Sequence, residues 1–418
     1  MELLDDLEAR GLLQDTTDRA ALAQRLARGP VTLYYGMDPS ADSLHTGNLI
    51  GLVMLRRFQL AGHHPIALAG GATGMIGDPG GRSEERNLLD EDTLRRNVAA
   101  IKAQIERVLG PAGAWTLVDN YDWTRDLPLL AFLRDVGKHV TVNQMLARES
   151  VKARIESEHG ISYTEFSYML LQAHDYWWLH RHHGCELQIG GSDQWGNILS
   201  GVDLIRRRNG DMVHALCWPL LTAPDGSKLG KTTGARTWLD PARTSPYELY
   251  QHFLQTDDRQ VRQLLAWLTL LPVAEIDALV AEHAQDPSRR LAQSTLAREV
   301  TAVVHGPEAA AAASRGSGST ADDVSPAAFR AREGTMPTTE LADGDLPVPV
   351  VDLLVRAGLA ASKSAAARLV QQGGAYVNNE AVASPEATVG PDDFVEGRWL
   401  QLRAGKRHRH LVVRGPAG

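Results

Sequence analysis

Cysteine is almost missing from this chain: among 418 residues only Cys185 and Cys217 occur. Two isolated cysteines exclude a disulfide framework and a cysteine zinc site, and they point to a reducing cytoplasm. Long apolar runs are missing as well; with no stretch of about eighteen apolar residues, no membrane-spanning helix is expected. The first residues, with Glu2, Asp5, Asp6 and Glu8, lack the basic-then-apolar layout of a secretory signal. Lysine is scarce too. Seven of the 43 Lys+Arg are lysines, and two of those seven, Lys228 and Lys231, stand three positions apart on a Gly-containing segment. A chain that prefers arginine and places two lysines together there gains compact, mobile ammonium charges, although the same spacing also describes a solvated surface loop.

What is present fits an ordinary globular protein, with 43% hydrophobic and 22% charged residues. Its length allows two or three domains and a sizeable core. The formal charge is −8, which argues against a protein covered in nucleic acid. From Pro347 onward, however, nine Lys+Arg face six acids, so that this tail is +3 and the remainder −11. Such asymmetry confines any polyanion partner to particular surfaces.

The first half alternates short apolar runs with helical patterns. Strands are expected at Val31–Tyr35, Pro65–Ala69, Trp115–Val118, Glu186–Ile189 and His214–Trp218, and helices near 47–61, 91–109, 127–136, 164–180 and 195–208. That order implies an α/β fold, a parallel sheet wrapped by helices with ligands at the carboxyl ends of the strands. From Ser245 to His305 the periodicity is helical, with a start signal at Asp257 and a break at Pro272. Glu308–Asp345, biased toward Ala, Ser, Gly, Thr and Asp, reads as a mobile linker. Beyond it come two short helices at Pro349–Leu359 and Lys363–Gln372, a strand and tight turn at Gly373–Glu380, and a last strand at Leu411–Val413.

Two distant segments read as halves of one nucleotide site. Asp38–Asn48 passes from a strand through a polar turn into a helix, placing backbone N–H groups, Gly47 and His45 where an anion could sit. Asp225–Thr232 supplies Lys228 and Lys231. Between them, Gly70–Gly74 and Gly77–Gly81 form a glycine-dense loop after a strand that reads as ligand-facing, with Asp78 able to hold an ammonium group and Arg82 and Arg86 able to reach phosphates. Tyr168, Gln172 and Asp175 fall at i, i+4 and i+7 of one helix, a polar stripe in an apolar segment and thus aimed into a pocket. Gly190–Asn197 ends a strand and opens a helix without the G-x-G-x-x-G dinucleotide fingerprint. His180, His182, His183 and Cys185 have the types of metal ligands but sit at a helix end, where surface histidines are the commoner reading.

Taken in order, these segments resemble the bacterial tyrosyl-tRNA synthetases, class I aminoacyl-tRNA synthetases, over essentially the whole chain. His45-Thr46-Gly47-Asn48 is similar to their HIGH-type signature and Lys228-Leu229-Gly230-Lys231-Thr232 to their KMSKS-type signature. Tyr168–Asp175 and Gly190–Asn197 resemble their tyrosine and adenylate site, and the tail from Pro347 a small RNA-binding module shared with a ribosomal small-subunit protein. The resemblance implies a Rossmann-like catalytic domain (1–222), a KMSKS-type loop (223–244), an α-helical tRNA-binding domain (245–313), a linker (314–346) and a small α+β RNA-binding domain (347–418). It also implies a homodimer that uses ATP with Mg²⁺, L-tyrosine and tRNA(Tyr), and no permanent protein metal site.

Carried over by motif, Tyr34 and Asp175 take the phenol hydroxyl, Asp78, Tyr168 and Gln172 the ammonium, and Gln194 and Asp38 line the tyrosine and adenylate site. Gly36, Ser40, Gly47, Gly191 and Asp193 lie along the nucleotide, Asp193 accepting from ribose. His45, Asn48, Arg82, Arg86, Lys228, Lys231 and Thr232 serve the reacting phosphates. Three departures stand out: Asn48 replaces the second signature histidine, Arg82 stands where some relatives carry lysine, and Tyr35 stands where some carry a small cysteine. Tryptophanyl-tRNA synthetases share such signatures, but Asp175 favours a phenol. A non-catalytic RNA-binding relative would need damaged signatures, whereas His45, Lys228 and Lys231 are present.

Overall fold

The computed structural model describes residues 2–78, 89–111, 113–156, 160–221, 236–317, 323–334, 336–405 and 408–415. The chain forms two compact units, Met1–Asp240 with Arg259–Glu282, and Pro241–Asp258 with His283–Gly418.

The first unit is built on a six-stranded sheet of β1 (Asp15–Thr16), β2 (Thr32–Met37), β3 (His64–Ala69), β4 (Thr116–Asp119), β5 (Cys185–Gly191) and β6 (His214–Trp218), in the spatial order β1-β6-β5-β2-β3-β4. All pairings are parallel except β1 with β6. Strands β3, β5 and β6 are buried almost throughout, as strands covered on both faces must be. Helices Thr46–Leu60, Glu91–Leu109, Tyr163–His183 and Trp195–Asn209 connect them, within a residue or three of the expected spans. From β2 the chain order runs one way through β3 and β4 and the other way through β5 and β6. The carboxyl ends of β2 and β5 therefore open a crevice at the switch point, where α/β sheets bind ligands.

The helical run after Ser245 does not form one body. Helix Asp258–Leu268 and most of Val273–His283 belong to the first unit, whereas Pro246–Leu254 and Leu291–His305 belong to the second. Two buried arginines account for the first assignment. Arg10 donates to the carbonyls of Ala266 and Leu271, Arg57 donates to that of Ala266, and Trp267 returns a hydrogen bond to the Arg10 carbonyl. Cations thus cap carbonyls that the end of helix Asp258–Leu268 leaves unpaired, and periodicity alone carries no trace of such pairing.

In the second unit, the stretch read as a linker is largely structured. It carries helices Pro307–Ser317 and Pro326–Arg332 and strand β7 (Thr338–Leu341). Alanine bias hid the first helix, whose Ala310 and Ala313 are buried and let it pack closely on Leu291–His305. Strand β7 pairs in parallel with β13 (His408–Arg414), which pairs with β12 (Trp399–Ala404); β12 continues to β9 (Ala375–Val377) and β9 to β10 (Glu380–Ala381). The β9–β10 turn places Asn378 and Asn379 at φ 47° and 69°, as a two-residue hairpin requires. Short β8 (Val348–Pro349) and β11 (Thr388–Val389) pair separately. Tyr247, Phe329 and Met336 share a core with Trp399, Leu411 and Val413, so the tail is built into its unit by a common apolar cluster.

Candidate active site

Tyr34 lies on β2, next to Tyr35, and Asp38 follows the end of the same strand. Tyr34 sits mid-strand in register with Ile66 and Gln188, whereas Asp38 lies just past the carboxyl end of β2. The Tyr34 phenol is fully buried, packs edge-on to Tyr176 at 5.4 Å between ring centroids, and its hydroxyl has no hydrogen-bond partner among the described residues. A buried hydroxyl without a partner is costly. Burial, followed by the charge of Asp175, pushes its pKa well above the ordinary tyrosine value, which keeps it protonated.

Asp175 projects from helix Tyr163–His183 and is itself buried. Its two oxygens accept from Asn120 Nδ2 and Trp123 Nε1, each at 2.9 Å. Burial nevertheless raises its pKa from 3.8 to about 7, against the pull of those two donors. The bonds continue from there. Asn120 Nδ2 also donates to Thr73 Oγ1 (3.1 Å), Thr73 donates to Asp38 Oδ1 (2.8 Å), and Tyr168 donates to Asp38 Oδ2 (3.1 Å). One polar chain therefore runs from Asp175 to Tyr168. Tyr168, Gln172 and Asp175 share the helix face expected from their spacing, and the chain engages the first and the last.

Gly70 and Gly71 serve this chain as much as any ligand. A Cβ on Gly70 would sit 2.3 Å from Asp38 Oδ1, and one on Gly71 2.2 Å from Asp119 Oδ1. The glycine density read as ligand-facing is thus partly an internal requirement. Farther along, Asp78 Oδ2 accepts from Gln194 Nε2 at 2.7 Å, which joins the end of that loop to the turn after β5. Gly191 is the last residue of β5, and Asp193 is exposed in the turn that follows.

The nucleotide half centres on helix Thr46–Leu60. His45 is its N-cap: Nδ1 accepts from the Gly47 N–H at 3.0 Å, while Asn48 Oδ1 accepts from the His45 N–H at 3.1 Å. Because Nδ1 accepts, the neutral ring carries its proton on Nε2. Burial, followed by the charge of Arg236, lowers the His45 pKa to about 4, so the ring is a neutral donor at physiological pH. Gly47, Ser40 and, on β2, Gly36 are exposed. Arg236–Leu239 returns alongside: Thr46 N–H donates to Thr237 O and Leu239 N–H to Leu44 O. Arg82, Arg86, Lys228, Lys231 and Thr232 lie outside the described residues.

Sequence reading missed Asn120, Trp123 and Thr73. They act through Asp175 and Asp38, so no spacing advertises them; the one available signal was position, since Asn120 directly follows β4 at the ligand edge. Gln188 was missed too. It pairs in register with Tyr34, is buried, and its Oε1 has no partner among the described residues. The histidine group forms local bonds: His180 with the Cys185 carbonyl and Asp211, His182 with the Trp178 carbonyl. Among the described residues no three His, Cys, Asp or Glu gather as metal ligands would.

Residues 26–319 match the family described as tRNA synthetases class I (W and Y), and residues 329–412 match the Tyrosine--tRNA ligase SYY-like C-terminal domain. The chain is 53% identical to the Tyrosine--tRNA ligase of Opitutus terrae over 422 residues, 99% of either chain. It is 51% identical to that of Mycobacterium tuberculosis over 417 residues, 97% of either chain. Among solved structures, a C-terminally truncated mitochondrial tyrosyl-tRNA synthetase of Aspergillus nidulans superposes with TM-score 0.66 at 35% identity, covering 75% of this chain and 92% of that one. The Archaeoglobus fulgidus enzyme, at 15% identity and TM-score 0.58 over 74% of this chain and 99% of that one, shares the fold.

Proposed function

Since the chain belongs to the class I tRNA synthetases of the tryptophan and tyrosine group, we propose that it is a tyrosine–tRNA ligase. It joins L-tyrosine to ATP, giving tyrosyl-adenylate and pyrophosphate, and then passes the tyrosyl group to the 3′ end of tRNA(Tyr). The observation that carries this reading is the buried Tyr34 phenol, without a partner among the described residues, beside the Asp175 carboxylate. A substrate phenol satisfies both, donating to Asp175 and accepting from Tyr34. Tryptophan, whose indole N–H donates but offers no acceptor, satisfies only one.

No protein nucleophile is required. The tyrosine carboxylate oxygen attacks the α-phosphorus, the bond to the bridging oxygen breaks, and pyrophosphate departs; a terminal ribose hydroxyl then attacks the activated carbonyl and releases AMP. The protein positions reactants and stabilises charge as it develops. Asp78, Tyr168 and Gln172 hold the substrate ammonium. The Nε2–H of His45, with Asn48, Arg82, Arg86, Lys228, Lys231 and Thr232, faces the phosphates, while Asp193 accepts from ribose. Supporting the convergence of the two signatures, the chain re-enters beside His45 at Arg236, five residues after Lys231. Mg²⁺ fits as a passenger of ATP: the nearby protein donors are carboxylate oxygens already hydrogen-bonded, and this ion is held mainly by phosphates and water. Bound there, it neutralises phosphate charge.

ATP–pyrophosphate exchange measured with each of the twenty amino acids tests the reading. Tyrosine alone is expected to support it; exchange driven by tryptophan, or by none of the twenty, overturns it.

The tail and an apolar face support the proposed partners. Arg403 stacks on the Tyr376 ring at 3.6 Å, and Lys363 and Arg368 are exposed on one helix, a cationic and aromatic surface suited to RNA backbone and bases. Because the tail shares its core with residues 247, 329 and 336, charge reversal is a cleaner probe than truncation. Lys363→Glu with Arg368→Glu is expected to lower kcat/KM for tRNA charging by roughly tenfold or more at low salt while leaving exchange unchanged; unaltered charging removes the tail from the RNA site. In the first unit, Leu129 and Leu130 are 70% and 78% exposed on helix Leu129–Asp135, and Val142 is exposed on the next helix over the same core. We assign this face to a homodimer. Leu130→Asp should shift the mass in sedimentation from dimer to monomer, and a variant still dimeric would place the interface elsewhere. The two buried, free cysteines agree with a cytoplasmic location, and no described helix is long and apolar enough to cross a membrane.

A further inference from the structure

Helix Tyr163–His183 continues past Asp175 with two more residues on the same face. Trp178 and His182 stand at i+10 and i+14 from Tyr168, extending the face that carries Tyr168, Gln172 and Asp175. Beyond the carboxylate that face is aromatic. The Trp178 indole stacks on that of Trp123, with ring centroids 4.1 Å apart and planes 11° from parallel, and stacks also on the His182 ring at 4.3 Å and 21°. The His182 Nδ1–H donates to the Trp178 carbonyl at 2.9 Å, which keeps the imidazole in place. Trp123 and Trp178 both pack against the core cluster that contains Tyr34 and Tyr176.

Trp123 thus meets one helix at two points. Its Nε1–H donates to Asp175 Oδ1 at 2.9 Å, and its ring face lies on Trp178, three residues farther along that helix. The two contacts are linked, because an indole N–H lies in the plane of its ring and a stacked neighbour fixes that plane. The turn that carries Trp123 needs such support. Helix Tyr121–Thr124 has four residues, too few to hold a shape through its own hydrogen bonds. Asn120, which supplies the other donor to Asp175, immediately precedes it. Both donors to the carboxylate therefore ride on one short segment.

We propose that Trp178 is a positioning residue for tyrosine: its indole face holds the Trp123 N–H on Asp175 and so keeps the carboxylate turned to accept the substrate phenol. The proposal deepens the functional reading above and takes from it that a phenol occupies the Asp175 pocket. Trp178 acts on the substrate only through Trp123. Its influence is therefore confined to amino acids that carry a ring hydroxyl, whereas a residue that merely filled space would affect every substrate of the pocket alike.

The test uses the full-length protein and the variants W178L, W178F, W123F and W123F/W178L, assayed by ATP–pyrophosphate exchange with tyrosine and with phenylalanine. W178L fills the site without an aromatic face. It is expected to raise KM for tyrosine roughly three- to tenfold, the range that loss of one aromatic pair allows, while kcat, KM for ATP and kcat/KM for phenylalanine each change less than about twofold. W178F restores a ring face and should recover most of the loss. In W123F the N–H is already gone, so W123F/W178L should lie within about twofold of W123F. Unchanged KM for tyrosine in W178L, equal losses with tyrosine and phenylalanine, no recovery in W178F, or additive losses in the double variant would each overturn the proposal. The Trp123 indole proton, identified in tryptophan-labelled protein by its absence from the NMR spectrum of W123F, gives a reading that needs no substrate. Its replacement by deuterium should be at least about tenfold faster in W178L, and an unchanged rate would also overturn the proposal. Faster replacement in a protein whose pyrophosphate exchange no amino acid supports would leave Trp178 as the support of Trp123 and sink the functional reading instead.

Discussion

Asp175→Asn is expected to lower kcat/KM for tyrosine-dependent exchange by at least about 10³-fold and to bring tyrosine and phenylalanine within about tenfold of each other. A site that hydrogen-bonds a substrate hydroxyl rejects the analogue lacking it by about 10⁴–10⁵, a discrimination already familiar from tyrosine-activating enzymes. It does so because buried polar groups are otherwise left unpaired. In this protein the carboxylate already receives Asn120 and Trp123. An amide in its place can accept only through its oxygen, so its NH₂ meets either one of those donors or the substrate phenol. Retained discrimination in a variant that melts normally would remove Asp175 from the tyrosine pocket.

The same carboxyl leaves a signature in stability. Its pKa is raised in the folded protein, from 3.8 to about 7. Between those values the folded state therefore binds the proton more tightly than the unfolded chain. The stabilising contribution of ligand-free protein is full below about pH 4 and is lost as pH rises through about 7. Urea unfolding at a series of pH values should show wild type losing stability over that window and Asp175→Asn losing less. Parallel curves would place the Asp175 pKa near its ordinary value.

Lys231→Ala is expected to slow adenylate formation by about 10²–10³-fold, the size found for removal of one preorganised donor at developing charge. Tyrosine binding should change less than about twofold. In the proposed mechanism the ammonium acts only as pyrophosphate leaves, so the loss belongs in kcat. Single-turnover rates with tyrosine affinity measured alongside separate the two; equal loss in both would make Lys231 a binding residue.

Much of the sheet was legible because alternating apolar runs and helical periods are local. His214–Trp218 and 91–109 matched their expected spans, and Gly373–Glu380 held its turn because Asn378 and Asn379 accept positive φ at low cost. Other features depended on partners far away in the chain. Helix Asp258–Leu268 joined the first unit because Arg10 and Arg57 cap it, and the alanine-rich segment at Pro307–Ser317 became a helix because a neighbour covers Ala310 and Ala313.

At the site the division is similar. Residue type and spacing were enough to single out His45, Tyr168, Gln172 and Asp175, since a helix start and an i, i+4, i+7 face follow from the chain's own geometry, while Asn48 came from the family resemblance. Which of them touch, and through whom, was settled only when the strands came together. Trp123 reaches Asp175 across 52 residues and Gln194 reaches Asp78 across 116. The Tyr35 ring finds its room over Gly51 only because β2 and helix Thr46–Leu60 pack face to face. Hydrogen-bond partners and pKa values belong to burial and proximity, and these arise only once separate parts of the chain exclude water from one another.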